Sequence, residues 1–215
     1  MMVVLTDSNL KSAQFCCAGN IWKGQIMNAY DFDKTIYDGD CTADFYMYCL
    51  KHYPVILKKV PEVLWFGLLF KLGITPKKEF KSRLFKFATL IPLEKAVADF
   101  WSINKSKIKK FYLETQKEDD VIISASPTFI LDEICKILNI KHLYATNVDL
   151  KTGEIIGENC YGEEKVKRFY EAGYNENSID EFYSDSLSDS PLADISKTAY
   201  IVIKEKLVPW NEYKK

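Results

Sequence analysis

Four aspartates, Asp31, Asp33, Asp38 and Asp40, lie within ten positions of one another in the stretch NAYDFDKTIYDGD. Like charges held this close together are unfavourable unless a cation or another positive group lies among them. The stretch therefore predicts a site for a metal ion, a phosphate group, or both.

Three further polar sites along the chain could complete that chemistry. Ser124 follows the apolar run VII, Lys165 lies in GEEKVKRF, and Asp185 and Asp189 lie in YSDSLSDSP. Each one alone is an ordinary feature: a turn or helix cap for the serine and the acids, a surface helix position for the lysine. Their occurrence together, each after a predicted strand or at a helix start, favours one shared site.

Paired carboxylates are suited to phosphoryl transfer. An ionised Asp31 needs no base to attack phosphorus, and Asp33 beside it could protonate the leaving oxygen and later deprotonate water. Mg²⁺ would compensate the two charges, with Asp185 and Asp189 completing the metal site. Lys165 and Ser124 would then hold the phosphoryl oxygens.

The predicted elements bring these residues to one edge of a sheet. Strands are predicted at NAYDF, VIIS, KHLYATNV, IDEFYSDS and AYIVI, the last of these ending the sheet, with helices at 128–138 and 162–172. A helical, aromatic-rich block of four or five helices occupies 42–118. This order predicts an α/β fold with a parallel sheet flanked by helices and an inserted helical domain, in which ligands bind at the carboxyl ends of the strands.

On these motifs the chain resembles the haloacid dehalogenase superfamily, in the phosphoserine-phosphatase-like branch with a helical cap. The D-x-D-x-T motif is matched by Asp31 to Thr35, the strand-end serine by Ser124, the lysine by Lys165, and the final acid pair by Asp185 and Asp189. The resemblance covers 27–210. It implies a Rossmann-like core with an inserted α-helical cap, and an Mg²⁺-dependent phosphomonoester hydrolase that forms an aspartyl-phosphate.

The resemblance also implies a role for each residue of the metal site. Asp31 would be the nucleophile and Asp33 the general acid and base. Mg²⁺ would be held by Asp31, the Asp33 backbone carbonyl and Asp185, with Asp189 in support.

The resemblance assigns the phosphate to Ser124, the Ala125 amide and Lys165, while Thr35 would orient Asp33 or the local turn. Asp40 lies where phosphoserine phosphatases carry a glutamate that binds the substrate amine. Arg83 is the candidate for the substrate carboxylate, with Lys86 as an alternative. The chain also has Ala125-Ser126-Pro127 where those enzymes carry Gly-Gly.

The substrate is expected to be a small phosphorylated metabolite. An aromatic cap could favour an amine through cation–π contacts, which keeps phosphoethanolamine and phosphocholine beside phosphoserine. A phosphotransferase using the same residues and a non-catalytic binding protein on this fold remain alternatives.

The composition is that of an ordinary globular chain. It has 215 residues, 47% hydrophobic and 27% charged, with a net charge of −1, so no general attraction to nucleic acid is expected. Six cysteines without a framework spacing predict reduced thiols and a cytoplasmic location. The apolar run VLWFGLLF at 63–70 is too short to span a membrane; a buried or pocket-lining helix is expected there rather than a membrane-surface one.

The expected organisation has three parts. Residues 1–26 fit no regular pattern and are predicted to be a disordered or non-native extension, with Met27 as the hypothetical native start. The core domain is predicted at 27–39 and 116–215, and the cap domain at 40–115.

Overall fold

The fold is seen in a computed structural model that describes residues 26–213. The predicted extension at 1–26 lies outside the described residues, apart from its last position. Within the described range the strands are β1 (Met27–Tyr30), β2 (Val121–Pro127), β3 (His142–Thr146), β4 (Ile179–Ser184), β5 (Thr198–Ile203) and β6 (Lys206–Pro209).

The described helices fall into two groups. Between β1 and β2 lie α1 (Cys41–His52), α2 (Val60–Lys71), α3 (Lys77–Phe85), α4 (Leu93–Asn104) and α5 (Lys110–Thr115), with short 3₁₀ turns at Pro54–Lys59, Lys86–Leu90 and Lys105–Lys107. After β2 come α6 (Thr128–Ile137), α7 (Glu163–Glu171), the 3₁₀ turn Leu187–Asp189, α8 (Ser190–Asp194) and α9 (Trp210–Tyr213). The helical block predicted between the first two strands is therefore present; we call residues 41–115 the helical insertion.

The strands form one sheet in the order β3-β2-β1-β4-β5-β6, and β1 to β5 are parallel. All four residues of β1 are buried, as are the first four of β2, because helices cover both faces of the sheet. The strand β1 pairs with β2 on one side and with β4 on the other. The predicted α/β, Rossmann-like fold is confirmed.

One strand was not predicted. The strand β6 runs antiparallel to β5, with Ile203 opposite Lys206 and Tyr200 opposite Pro209, so AYIVI is not the last strand. The two strands are joined at Lys204 and Glu205, and Lys204 has a φ of 58° without being glycine. The connection therefore lacks the Asn-Gly or Asp-Gly signal by which short hairpins are found in a sequence.

The helical insertion packs into the same hydrophobic cluster as the sheet. Trp101 on α4 is fully buried and lies edge-on to Phe32, in the loop after β1, at 6.1 Å between ring centroids. Its indole Nε1 donates to the Ile130 carbonyl on α6 over 2.7 Å. Because this cluster is continuous from sheet to insertion, the insertion is fixed on the core, while a division into two domains at 39 and 115 stays a prediction.

A turn of the core also meets the insertion closely. Gly153 has a φ of 77°, and a Cβ at this position would come within 2.6 Å of the Lys86 Cα. The neighbouring amide of Ile155 donates to the Ser82 hydroxyl on α3 over 3.2 Å. Only glycine suits this approach, which fixes α3 beside the turn.

The apolar run at 63–70 is not buried, and the prediction of a buried or pocket-lining helix is wrong. It forms most of α2, of which only Val63 is buried, while Leu64, Trp65 and Leu68 are 68%, 59% and 49% exposed. The reason is that α2 packs mainly on α3, its neighbour in the insertion, and not on the sheet. None of the described helices is long and apolar enough to cross a membrane.

Two tryptophans of the insertion give a matched test of this packing. We expect Trp101→Ala to lower the free energy of unfolding by about 3–5 kcal/mol, because it removes a buried ring and its hydrogen bond. Trp65→Ala should change it by no more than about 0.5 kcal/mol. Urea denaturation of both variants measures the difference, and similar losses for the two would contradict the packing described.

Candidate active site

The end of β1 places the first two candidate residues. The Asp31 amide donates to the Tyr183 carbonyl of β4 over 2.9 Å, so Asp31 lies at the carboxyl end of the strand. The chain then turns tightly, with the Ile36 and Tyr37 amides both donating to the Phe32 carbonyl. Asp33 therefore projects from the turn, beside the end of β1.

Lys165 forms the centre of a buried ionic cluster. Its Nζ lies 2.6 Å from Asp31 Oδ1 and 2.7 Å from Asp189 Oδ2, and Lys165 itself is only 2% exposed. The Ser184 hydroxyl also donates to Asp189 Oδ2, over 2.7 Å. Asp189 Oδ1 is buried without a hydrogen-bond donor in the described part of the chain. The cluster joins the ends of β1 and β4 to the first turns of α7.

The electrostatics of this cluster show an excess of negative charge. Burial raises the pKa of Asp31 to about 7; Lys165 opposes this shift, and Asp189 and Asp33 add to it. Burial also raises the pKa of Asp185, with a further contribution from Asp189. Although burial disfavours the Lys165 ammonium, Asp31 and Asp189 together raise its pKa above the ordinary value. The single Lys165 ammonium thus pairs with both Asp31 and Asp189 and does not balance the negative charge of the neighbouring acids.

Asp33 is held from two sides. Its Oδ1 accepts from the Cys41 amide at the start of α1 over 2.7 Å, and its Oδ2 accepts from the Ser126 hydroxyl. Ser126 also shares a 2.8 Å hydrogen bond with the Thr42 hydroxyl. Burial, followed by the charge of Asp40, raises the pKa of Asp33, and the hydrogen bonds from Ser126 and Cys41 oppose the shift. The arrangement favours a carboxyl group that can carry a proton.

Ser126 was not among the predicted site residues. It lies two positions after Ser124 in β2, and the i, i+2 spacing of a strand was the signal that could have found it. The Ser124 hydroxyl is buried and accepts from the Ser126 amide over 3.1 Å. The next carbonyl, that of Ala125, accepts from Thr146 Oγ1 over 3.0 Å. The predicted phosphate-binding segment therefore adjoins the support of Asp33.

The structure does not bring every predicted residue to the cluster. Thr35 is fully buried, and its hydroxyl accepts from the Asp185 amide over 2.9 Å, so it joins two loops. Asp40 caps α1 by accepting from the Ala43 amide over 2.9 Å. Both residues shape the site, and the contacts seen for them are structural.

Arg83 lies away from the cluster. Its guanidinium pairs with Glu62 at 3.4 Å and lies over the Phe66 ring at 4.6 Å, both on α2. With Lys86 it lines a groove of about 360 Å³ between α3 and the loop residues Glu154 and Ile155. None of the predicted catalytic residues lines this groove.

Lys81 is the basic residue of α3 that reaches the core. Its Nζ donates to the Ala125 carbonyl over 2.7 Å and to Asn159 Oδ1 over 2.9 Å. Burial and the charge of Lys77 lower the pKa of Lys81 to about 8, although Asp33 and Asp40 oppose the shift. The hydrogen bond to the Ala125 carbonyl places a positive charge beside the predicted phosphate-binding segment.

Among the described residues, no group of three or more acidic, histidine or cysteine side chains is gathered that could hold a metal ion. The four described cysteines, Cys41, Cys49, Cys135 and Cys160, are free and buried.

The described residues thus form a mostly parallel α/β sheet with an aspartate–lysine cluster at the carboxyl ends of its strands. The family model for haloacid dehalogenase-like hydrolases matches residues 29–194. The chain belongs to this family, and the predicted membership and hydrolase class are confirmed. No curated protein matches the chain.

Solved structures share the fold at low identity. A protein of unknown function from Bordetella pertussis Tohama I has a TM-score of 0.66 and 16% identity over 82% of this chain and 89% of its own. A phosphoserine phosphohydrolase-like protein from Francisella tularensis subsp. tularensis SCHU S4 has a TM-score of 0.53 and 16% identity over 84% and 90%. A phosphoserine phosphatase in the form of a phospho-aspartyl intermediate analogue has a TM-score of 0.52 and 16% identity over 82% and 86%.

Two lysines of α7 test the buried cluster. We expect Lys165→Met to lower the free energy of unfolding by about 3–5 kcal/mol, because it leaves Asp31 and Asp189 buried without their partner. Lys167→Met, on the same helix but 61% exposed in its side chain, should cost no more than about 0.5 kcal/mol. Chemical denaturation compares the two variants, and equal stabilities would show that the buried cluster does not contribute this much to the free energy of unfolding.

Proposed function

We propose that the chain is an Mg²⁺-dependent phosphomonoester hydrolase that acts on a small phosphorylated metabolite through an aspartyl-phosphate on Asp31. The observation that carries the proposal is the Lys165 ammonium lying 2.6 Å from Asp31 and 2.7 Å from Asp189 at the ends of two neighbouring strands. A buried nucleophile beside a fixed cation is what phosphoryl transfer requires, because negative charge builds on the transferred group. The hydrolase family and the named activity of structural neighbours agree with it.

The first step forms a bond between an Asp31 carboxylate oxygen and phosphorus while the ester P–O bond breaks. Asp33, whose pKa is raised mainly by burial, gives its proton to the departing alcohol oxygen. Ser126 and the Cys41 amide hold Asp33 in place for this transfer. Lys165, Ser124 and the Ala125 amide bind the phosphoryl oxygens in this proposal.

The second step regenerates the enzyme. Asp33 takes a proton from water, the water oxygen bonds to phosphorus, and the bond between phosphorus and the Asp31 oxygen breaks. Inorganic phosphate leaves, Asp31 is again a carboxylate, and Asp33 again carries a proton. The same carboxyl group serves as acid and then as base, so no other proton carrier is needed.

The charges of the site fit Mg²⁺. Burial and neighbouring acids raise the pKa values of Asp31 and Asp185, since the single Lys165 does not balance them. The proposed donors are Asp31, the Asp33 backbone carbonyl and Asp185, with Asp189 in support. Two carboxylates and a carbonyl suffice, so the set does not require a pre-formed cluster of three acidic side chains. Bound there, Mg²⁺ would neutralise the acids and polarise the phosphoryl group.

Lys81 bears on the substrate class. Its Nζ lies at the Ala125 carbonyl, where it could contact a charged group of the substrate. Arg83, in contrast, is paired with Glu62 within the insertion. A cation at this point favours a substrate with a second anionic group, such as a carboxylate, over phosphocholine.

A panel of phosphomonoesters tests the reaction. Mg²⁺-dependent release of phosphate should fall by more than about 10³-fold in Asp31→Asn, since the amide cannot attack phosphorus. The matched control is Asp38→Asn, an exposed acid of the same loop, which should retain wild-type turnover. The panel comprises phosphoserine, phosphoethanolamine, phosphocholine, sugar phosphates and an aryl phosphate, each with and without added alcohol acceptors.

Two outcomes would overturn the proposal. Turnover that appears only with an alcohol acceptor would assign a phosphotransferase. A folded protein that binds Mg²⁺ but turns over no ester or acceptor would assign a binding protein on this fold.

Lys81 has its own test. Lys81→Met should raise KM by about 10- to 100-fold with little change in kcat, because it removes a charged hydrogen bond to the substrate. In the wild type, KM should also rise above about pH 8, where the lowered pKa leaves Lys81 neutral in the free enzyme. Lys81→Arg, which stays charged, should show a flat KM over that interval. An unchanged KM in Lys81→Met would exclude the residue from substrate binding.

A further inference from the structure

The helix α2 has two apolar faces, and only one of them is covered. On the inner face the Phe70 ring stacks on Phe80 of α3 at 5.5 Å, and Arg83 lies over Phe66. The outer face presents Leu64, Leu68 and Leu72, spaced i, i+4 and i+8, together with Trp65 and the following Ile74. Their exposed fractions are 68%, 49%, 62%, 59% and 67% in that order.

Large apolar side chains this exposed, and close together on one helix and the residues that follow it, mark an interaction surface more often than isolated exposed leucines do. We define the outer face of α2 by Leu64, Trp65, Leu68, Leu72 and Ile74. The proposed phosphatase chemistry uses none of these five residues. The face needs an occupant with a large apolar surface of its own.

The segment that contains this face is strongly basic. Residues 51–86 contain nine lysines or arginines and two glutamates, a net charge of +7, in a chain whose total is −1. Lys51, Lys58 and Lys71 are exposed, and Lys71 lies three positions after Leu68, on the same side of α2.

The two acids of this segment are already engaged. Glu62 lies 3.1 Å from Lys59 and 3.4 Å from Arg83, and Glu79 lies 3.8 Å from Arg83. Among the described residues no acid forms an ion pair with Lys71 of α2 or with Lys58 just before it, so positive charge remains beside the outer face of α2. A second copy of the chain would bring a like-charged face against it, which is unfavourable.

We infer that the outer face of α2 docks on an anionic lipid bilayer. Leucine and tryptophan side chains would enter the boundary between headgroups and acyl chains, and the lysines would lie among the anionic headgroups with their aliphatic stems along the apolar surface. The helix would lie in the plane of the interface, in accord with its 12 residues being too few to span it. The inference is independent of the proposed phosphatase reaction.

Co-sedimentation of the full chain with phosphatidylcholine vesicles, with and without phosphatidylglycerol, tests the inference. Binding is expected only to the vesicles that contain phosphatidylglycerol, and it should weaken as salt is added. The triple variant Leu64→Gln, Trp65→Gln and Leu68→Gln should bind at least about tenfold more weakly, because it removes the buried apolar area. Lys58→Gln with Lys71→Gln should weaken binding and reduce its salt dependence.

The matched control is Ile103→Gln with Leu113→Gln, two exposed apolar positions of the same insertion, at 62% and 52%, outside the outer face of α2. This variant should bind like the wild type. Circular dichroism and hydrolysis of a soluble aryl phosphate check that each variant is folded.

Absence of binding to the anionic vesicles, or equal binding by the triple variant, would overturn the inference. Sedimentation velocity tests whether a second copy of the chain occupies the face instead. A dimer that the triple variant abolishes, together with no vesicle binding, would assign the face to a second copy.

Discussion

The buried Lys165 ammonium is the contact on which the site depends. It reaches Asp31 after β1 and Asp189 after β4, and it comes from α7, so three segments distant in sequence meet at one nitrogen. A charge at 2% exposure persists only where its partners are fixed, and here the Ser184 hydroxyl fixes Asp189 in turn. The cluster still carries more negative than positive charge. A further cation at this site, or a proton on Asp31 or Asp33, would therefore be favourable.

The helical insertion supplies what the sheet cannot. A sheet edge leaves the strand ends open to water, whereas the insertion covers them through Trp101, whose indole is tied to α6, and through Lys81, which is tied to the Ala125 carbonyl. Thr42 of α1 and Ser126 of β2 are joined as well, and Ser126 also holds Asp33. The position of the Asp33 carboxyl group is thus coupled to the position of the insertion.

Much of the core could be predicted because its signals are local and its geometry is forced. Buried parallel strands read as continuous apolar runs, and their carboxyl ends lie at one edge, so the order of Asp31, Ser124, Lys165 and Asp185 was enough to expect one site. The insertion offers no such rule. Arg83 and Lys81 are two positions apart on α3, which is about 200° around a helix, so the sequence could not say which one faces the core. An apolar run such as 63–70 predicts a helix with an apolar face. The run alone does not show whether another element of this chain packs against that face.

The charge distribution connects the two halves of the molecule. The core carries the acids that demand a cation, and residues 51–86 carry a net charge of +7 close by on the insertion. In the proposed reaction, the positive insertion would attract phosphorylated substrates that the acidic strand ends alone would repel. Lys81 carries part of this positive charge to the Ala125 carbonyl, and Lys71 on α2 carries part of it to the molecular surface. Helix α3 therefore presents positive charge to the Ala125 carbonyl through Lys81, and α2 presents positive charge to the surroundings through Lys71. Together, the proposed phosphatase reaction and the proposed bilayer docking would let one insertion select both the anion and the surface at which it is hydrolysed.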